Sequence, residues 1–123
     1  MTNKMEYKNT DEFEKDIKRL HKKFRSIVED LEMSKQNAIE LYHIREIDNH
    51  SIFPIPNFCT DEVVVCKIKK FACKSLKGRG VFSGIRVIYA YYKKEKIVEF
   101  LEIYFKGEKV NEDKERIKEY LKK

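Results

Sequence analysis

Lys67 and Lys69 stand one strand repeat apart in the run VVVCKIKKF, and Arg86 lies among apolar residues in GIRVIYAYY. Positions i and i+2 of a strand share a face, so both ammonium groups point one way. A neighbouring strand would bring the guanidinium beside them. Such a trio suits a phosphodiester. Cutting RNA without a metal requires a base for the 2′-hydroxyl, positive charge for the phosphorane and an acid for the 5′-oxygen. The Arg fork matches two phosphate oxygens. A Lys crowded by other cations is pushed toward the neutral amine, which can serve as the base. Tyr104 and Lys106, at the end of a last strand, could complete the site. Spacing alone favours a plainer alternative, a basic surface that touches phosphate backbone without cutting it. Arg86 resists that alternative most, because a guanidinium set between apolar residues is costly unless it meets a partner or a ligand.

The charge is concentrated around these residues. Residues 63–96 hold ten Lys or Arg against the single acid Glu95, while the rest of the chain is net negative. A net charge of +6 gathered in this way describes a patch rather than a generally basic protein. Lys70, Lys74, Lys77 and Arg79 extend it as candidate RNA-contacting residues. The last three lie in Cys73–Gly84, which carries three of the four glycines and reads as a mobile basic loop. Tyr89, Tyr91 and Tyr92 read as sheet and core residues rather than base-stacking platforms.

The elements that position this patch follow from periodicity. Met5–Lys8 reads as a short edge strand. Thr10 or Asp11 caps a helix whose stripe is Phe13, Ile17, Leu20 and Phe24. Ser26 and Glu29 have capping-box spacing, so a second helix begins there, with Ile27, Val28, Leu31, Ala38, Ile39 and Leu41 on its apolar side. One bent helix and a helical hairpin both fit this pattern. Residues 43–61 contain both prolines and read as a loop or irregular crossing, with Ile52, Phe53, Ile55 and Phe58 tucked into the core edge. Three strands follow, Val63–Phe71, Ile85–Lys93 and Ile97–Lys106, the last with Ile97, Leu101, Ile103 and Phe105 on one face. Asn111 or Asp113 caps a final helix bearing Ile117, Tyr120 and Leu121.

At 123 residues the chain suits one domain, and 41% hydrophobic residues suffice for a core. No apolar run reaches the length of a membrane span, and residues 1–8 lack the core of a secretory signal. Cys59, Cys66 and Cys73 are spaced by seven, far from His21, His43 and His50, so free thiols in a reducing cytoplasm are expected and a metal site is not. No P-loop, G-x-S-x-G or H-E-x-x-H pattern is present, and no cofactor is expected.

Four segments in this order resemble the RelE/ParE superfamily of toxins from type II toxin–antitoxin systems. They are Phe13-x-Lys-Asp-Ile-x-x-Leu20, Lys67-Ile-Lys69, Ser83-Gly-Ile-Arg-Val-Ile-Tyr89 and Glu102-Ile-Tyr-Phe-Lys106. The resemblance implies one α+β toxin domain over residues 1–123: an N-terminal helical hairpin packed on a small antiparallel sheet, with a short C-terminal helix. It implies that Lys67, Lys69 and Arg86 match the positions that bind and activate the scissile phosphate in ribosome-dependent mRNA-cleaving members, with Lys106 closing the last strand. It also implies a cognate antitoxin. The alternatives within this resemblance are a ParE-like inhibitor of DNA gyrase without nuclease chemistry and an inactive RNA- or protein-binding orphan. Gly107 stands where the RelE-type nuclease carries an active-site Arg, and no Tyr falls between Glu108 and Lys118, which leaves Tyr104 or Tyr120 for that role.

Overall fold

The computed structural model describes residues 5–80 and 82–122; the residues before Met5, part of the stretch read for a signal, lie outside them. The run IRVIYAYY consists almost wholly of β-branched and aromatic residues, which suit a pleated, half-buried surface. It forms the central strand of a five-stranded sheet. In chain order the elements are β1 (Glu6–Asn9), α1 (Asp11–His21), α2 (Ile27–Ser34), a π-helical turn (Lys35–Glu40), α3 (Leu41–His43), β2 (Ile52–Cys59), β3 (Val63–Ile68), β4 (Ile85–Tyr92), β5 (Ile97–Phe105) and α4 (Lys114–Leu121). The sheet order is β1-β5-β4-β3-β2. Its pairs are antiparallel except β1 with β5, which run parallel. The edge strand read at Met5–Lys8 is present as β1 and precedes the helices, so the leading helical hairpin that the resemblance implies is not what opens the chain, and the parallel β1–β5 pair makes the sheet mixed rather than antiparallel.

Thr10 caps α1, its hydroxyl accepting from the Phe13 N–H at 3.2 Å. Phe13, Leu20 and Phe24 carry the α1 stripe into the core, and Ile27, Leu31, Ala38 and Ile39 continue it through α2 and the π turn. Val28, expected on this stripe, is exposed instead. Ser26 makes no capping bond to the backbone of α2. Its hydroxyl donates to Asp30 Oδ2 at 2.6 Å.

On the sheet side Cys66, Ile68, Ile85, Val87, Tyr89, Tyr91, Val98, Phe100 and Ile103 meet these helices. The opposite face carries Val65, Ile88, Ala90, Leu101 and Tyr104, partly covered by Ile117 of α4. Strict alternation from Lys67 and Arg86 puts Cys66, Ile68, Val87 and Tyr89 on the helical side, as found, but it would put Phe71 with Lys67, and Phe71 instead crosses to the helical side. In β5 the alternation breaks. Ile88 pairs with Glu102 but Tyr89 pairs with Phe100, so Leu101 is the extra residue of a bulge. Val98 and Phe100, rather than Ile97 and Leu101, share the helical face with Ile103.

The proline-containing segment is a strand because it lies at the sheet edge, where a missing N–H costs no ladder bond on the open side. Its register shifts between Pro54 and Cys59. Ile52 and Ile55 are buried as expected, but Phe53 is exposed.

At the far end of the helical face His43 sits half-buried, its Nε2 2.7 Å from the Tyr89 hydroxyl and its ring 4.1 Å from that of Tyr91. Burial pushes its pKa down from 6.5 to about 4. Between those values the unfolded chain binds a proton that the folded chain refuses, so stability falls as pH drops from about 6.5 to about 4. The expected loss is about 2–3 kcal/mol over that window, and His43→Gln should flatten this part of a stability-against-pH curve measured by urea unfolding.

Candidate functional site

Strand pairing lays the predicted cations out in two rows on the face turned away from α1 and α2. One row runs Phe53, Lys67, Ile88, Glu102 across β2 to β5. In the next row Arg86 faces Tyr104. Lys67 and Arg86 are thus diagonal neighbours on adjoining strands. Arg86 Nη1 donates to the Lys69 carbonyl oxygen at 2.9 Å, which spends one of its five N–H groups and fixes the guanidinium beyond the end of β3.

Lys69 itself departs from the row. The chain leaves the β3–β4 ladder after Ile68, and the Lys69 ammonium lies 4.6 Å from the centre of the exposed Phe53 ring, a cation–π contact. Lys67 does not meet the crowd of cations its sequence surroundings suggest. Its Nζ lies 2.6 Å from Glu112 Oε1, and the two side chains are only 15% and 8% exposed. Burial alone would raise the Glu112 carboxyl, but Lys67 beside it outweighs that and leaves it below the usual value. Although the approach is close, Oε1 is buried without a well-aligned hydrogen bond.

Tyr104 is almost wholly buried at this point. Burial, then the charges of Glu112 and Glu102, hold its phenol well above the ordinary tyrosine range, with Arg86 pulling the other way. A neutral phenol beside a guanidinium can donate a proton or a hydrogen bond to an oxyanion. Tyr120, the other tyrosine open to that role, is spent elsewhere. It donates to Glu99 Oε1 at 2.6 Å and bonds the Tyr92 hydroxyl, and Glu99 lies five residues back along β5, about 16 Å at ordinary strand rise.

Lys106 is exposed one residue beyond β5, its backbone N–H on the Gly84 carbonyl at 2.8 Å. A Cβ at Gly107 would come within 2.6 Å of the Phe105 ring, which packs edge-on against Phe24. A larger residue at 107 would have to displace that ring.

The basic loop is not brought to the same face. Phe71 and Cys73 enter the helical-side core. Lys70 and Lys74 border a cavity of about 260 Å³ with Asp30, Ser34, Asn37 and Asn49. Lys77 and Arg79 are exposed further along. Nor does the loop hang free at its start. Buried Asp30 accepts from the Lys74 N–H at 3.2 Å and from the Ser26 hydroxyl, while Ser26 and Ser75 exchange backbone-to-hydroxyl bonds of 2.8 and 2.9 Å. Asp30→Ala leaves these donors unpaired, an expected loss of about 2–3 kcal/mol. Hydrogen exchange at the Lys74 and Ser75 amides should accelerate more than elsewhere in the chain.

Glu112 and Glu102 are the site's unforeseen members. Glu112 sits in an irregular stretch where no period signals burial. Glu102 reaches this face only through the bulge, where it accepts from the Asp113 N–H at 2.9 Å and pairs with Lys109.

Among the described residues no helix is long and apolar enough to cross a membrane. No protein-family model and no curated protein matches the chain. Among solved structures, a chain of the archaeal RelE–RelB complex from Pyrococcus horikoshii OT3 matches with a TM-score of 0.50 at 15% identity, over 84% of this chain and 96% of that chain. The two share a fold: the mixed sheet and helices described above are RelE-like.

Proposed function

We propose that this chain is a single-domain toxin of a toxin–antitoxin pair, a metal-independent endoribonuclease that cuts mRNA at the ribosome in the cytoplasm. The likeness to a chain of the RelE–RelB complex supports the toxin class. The observation that carries the chemistry is the pairing of Arg86 with Tyr104, one row from Lys67 on the same sheet face. In this reading Arg86 and Lys67 hold the scissile phosphate and its developing charge. Lys69 at the rim takes the 2′-hydroxyl proton as that oxygen attacks the phosphorus, the neutral Tyr104 phenol supplies a proton or hydrogen bond to the departing 5′-oxygen, and Lys106 adds positive potential. Lys70, Lys74, Lys77 and Arg79 steer the RNA backbone toward the site from the adjoining surface. The cognate antitoxin would present an acidic or amphipathic segment to the basic face.

One observation favours a second reading. Lys67 already has a carboxylate partner, which suits a ParE-like gyrase inhibitor whose basic face serves binding alone. Primer extension on cellular mRNA after induced expression separates the two. Cuts in phase with codons are expected for the nuclease. Intact transcripts with accumulating gyrase-linked DNA breaks would replace it with the inhibitor.

A further inference from the structure

Residues 106–113 pass from β5 to α4 across the edge of the site. Lys109 pairs with Glu102, the Asp113 N–H binds Glu102 Oε1, and Asp113 turns to cap α4 by accepting from the Arg116 N–H at 3.1 Å. Val110 between these points is 72% exposed, so the stretch buries little apolar surface. Its innermost group is the Glu112 carboxylate, seated against Lys67.

That seat holds its occupant by charge: Glu112 Oε1 lies 2.6 Å from the Lys67 ammonium, which outweighs the cost of burying the carboxylate. The site meanwhile keeps donors that Glu112 leaves unused. Arg86 retains N–H groups beyond the one given to Lys69 O, and among the described residues it forms no ion pair. The Tyr104 phenol already leans on the Glu112 carboxylate, so an incoming phosphate would take that donor over together with Lys67. A tetrahedral anion offers more oxygens than a carboxylate and can meet the ammonium, the guanidinium and the phenol together.

We infer that the place held by the Glu112 carboxylate is a phosphate seat, occupied in the free protein by this internal anion and vacated when a phosphate group binds Lys67 and Arg86. This rests on the reading of the face as a phosphate site, but not on its cutting RNA. Glu112 then acts as a competitor. It keeps Lys67 from being left as a lone buried cation and sets the threshold an incoming phosphate must exceed. The geometry favours displacement because the strap is tied by polar contacts rather than by core packing: Lys109 and the Asp113 N–H to Glu102, and Glu108 to Arg19 and Lys23 at 3.2 and 3.3 Å on the exposed surface.

Inorganic phosphate titrated into the full-length protein at constant ionic strength, followed by NMR, tests this. Glu112→Gln keeps the shape and removes the charge, so phosphate should bind about tenfold tighter or more than to the native chain. Adding Lys67→Ala to that variant should abolish the gain. Equal or weaker binding by Glu112→Gln would overturn the seat. If that variant fails to fold, the native chain still decides. Saturating phosphate must shift the Lys67 side chain and the amides of residues 109–113 together, and a Lys67 shift with those amides unmoved refutes the exchange. The reading is separable from nuclease chemistry, since tighter phosphate binding without any transcript cleavage would keep the seat and discard the enzyme.

Discussion

Arg86→Ala should reduce transcript cleavage by about 10²–10³-fold while leaving the fold intact. The side chain is anchored by one hydrogen bond to the Lys69 carbonyl and is not part of either apolar cluster, so its removal opens no core cavity. What it removes is a fixed cation beside the neutral Tyr104 phenol, at the point where a phosphorane would gather charge. Arg86→Lys should recover only part of the loss, because an ammonium cannot offer two parallel N–H bonds to one phosphate. Single-turnover cleavage of ribosome-bound mRNA measures both variants. A thermal melt matching that of the native chain confirms that chemistry rather than folding was lost. Undiminished cleavage by a folded Arg86→Ala protein would remove this face from the mechanism.

Phe100→Ala should cost about 3–5 kcal/mol, a large share of the ~5–15 kcal/mol that holds a typical domain folded. The Phe100 ring is fully buried where four elements meet. It lies 5.1 Å from Phe13 of α1, 6.1 Å from Tyr7 of β1 and 6.2 Å from Tyr89 of β4. None of these neighbours can close the resulting cavity without abandoning another contact. Ile97→Ala, three residues earlier on the opposite face and half-buried, should cost about 1 kcal/mol. Urea unfolding of the pair reads which face of β5 meets the helices ahead of the bulge. A larger loss for Ile97→Ala than for Phe100→Ala would return that face to Ile97 and Leu101, as strict alternation read from Ile103 requires.

That pair also marks where the sequence stops being readable. The β3–β4 ladder has no bulge, so period two carried on from Arg86 puts Ile88 on its face and Val87, Tyr89 and Tyr91 on the other. In β5 every position from Val98 to Phe105 except Glu99 and Glu102 is apolar or aromatic. A strand with apolar groups on both faces carries no signal for a one-residue insertion. The edge strand β2 was hidden for a different reason. Two prolines argue against a central strand, and only the order of strands, which is a long-range property, shows that this one lies outermost. Thr10 and Asp113 were recognisable as caps because the capping bond is local.

The site divides along the same line. Lys67, Arg86 and Tyr104 sit on ladder positions, and their placement on one face follows from period-two geometry once neighbouring strands are assumed. Lys69 lies one residue past the ladder, where alternation no longer governs, and its partner Phe53 comes from a segment that read as a loop. The Gly-rich stretch looked mobile from composition. What ties its start down is a buried carboxylate more than forty residues away, Asp30, whose role depends on where α2 packs. Glu112 was invisible for a related reason: acids near a helix start are ordinary, and only the return of the chain across the sheet brings this one to Lys67.

The central claim is that RNA phosphate is held on the face shared by Lys67, Arg86 and Tyr104. The direct measurement is an NMR titration of the full-length protein with a short RNA whose 2′-hydroxyls are replaced by hydrogen, so that it binds without being cut. The account predicts that the largest shifts fall on the Arg86 guanidinium, the Lys67 side chain and the Tyr104 ring, with smaller ones along Lys70–Arg79. Shifts confined to α1 and α2, with the Arg86 and Lys67 signals unmoved at saturation, would contradict it.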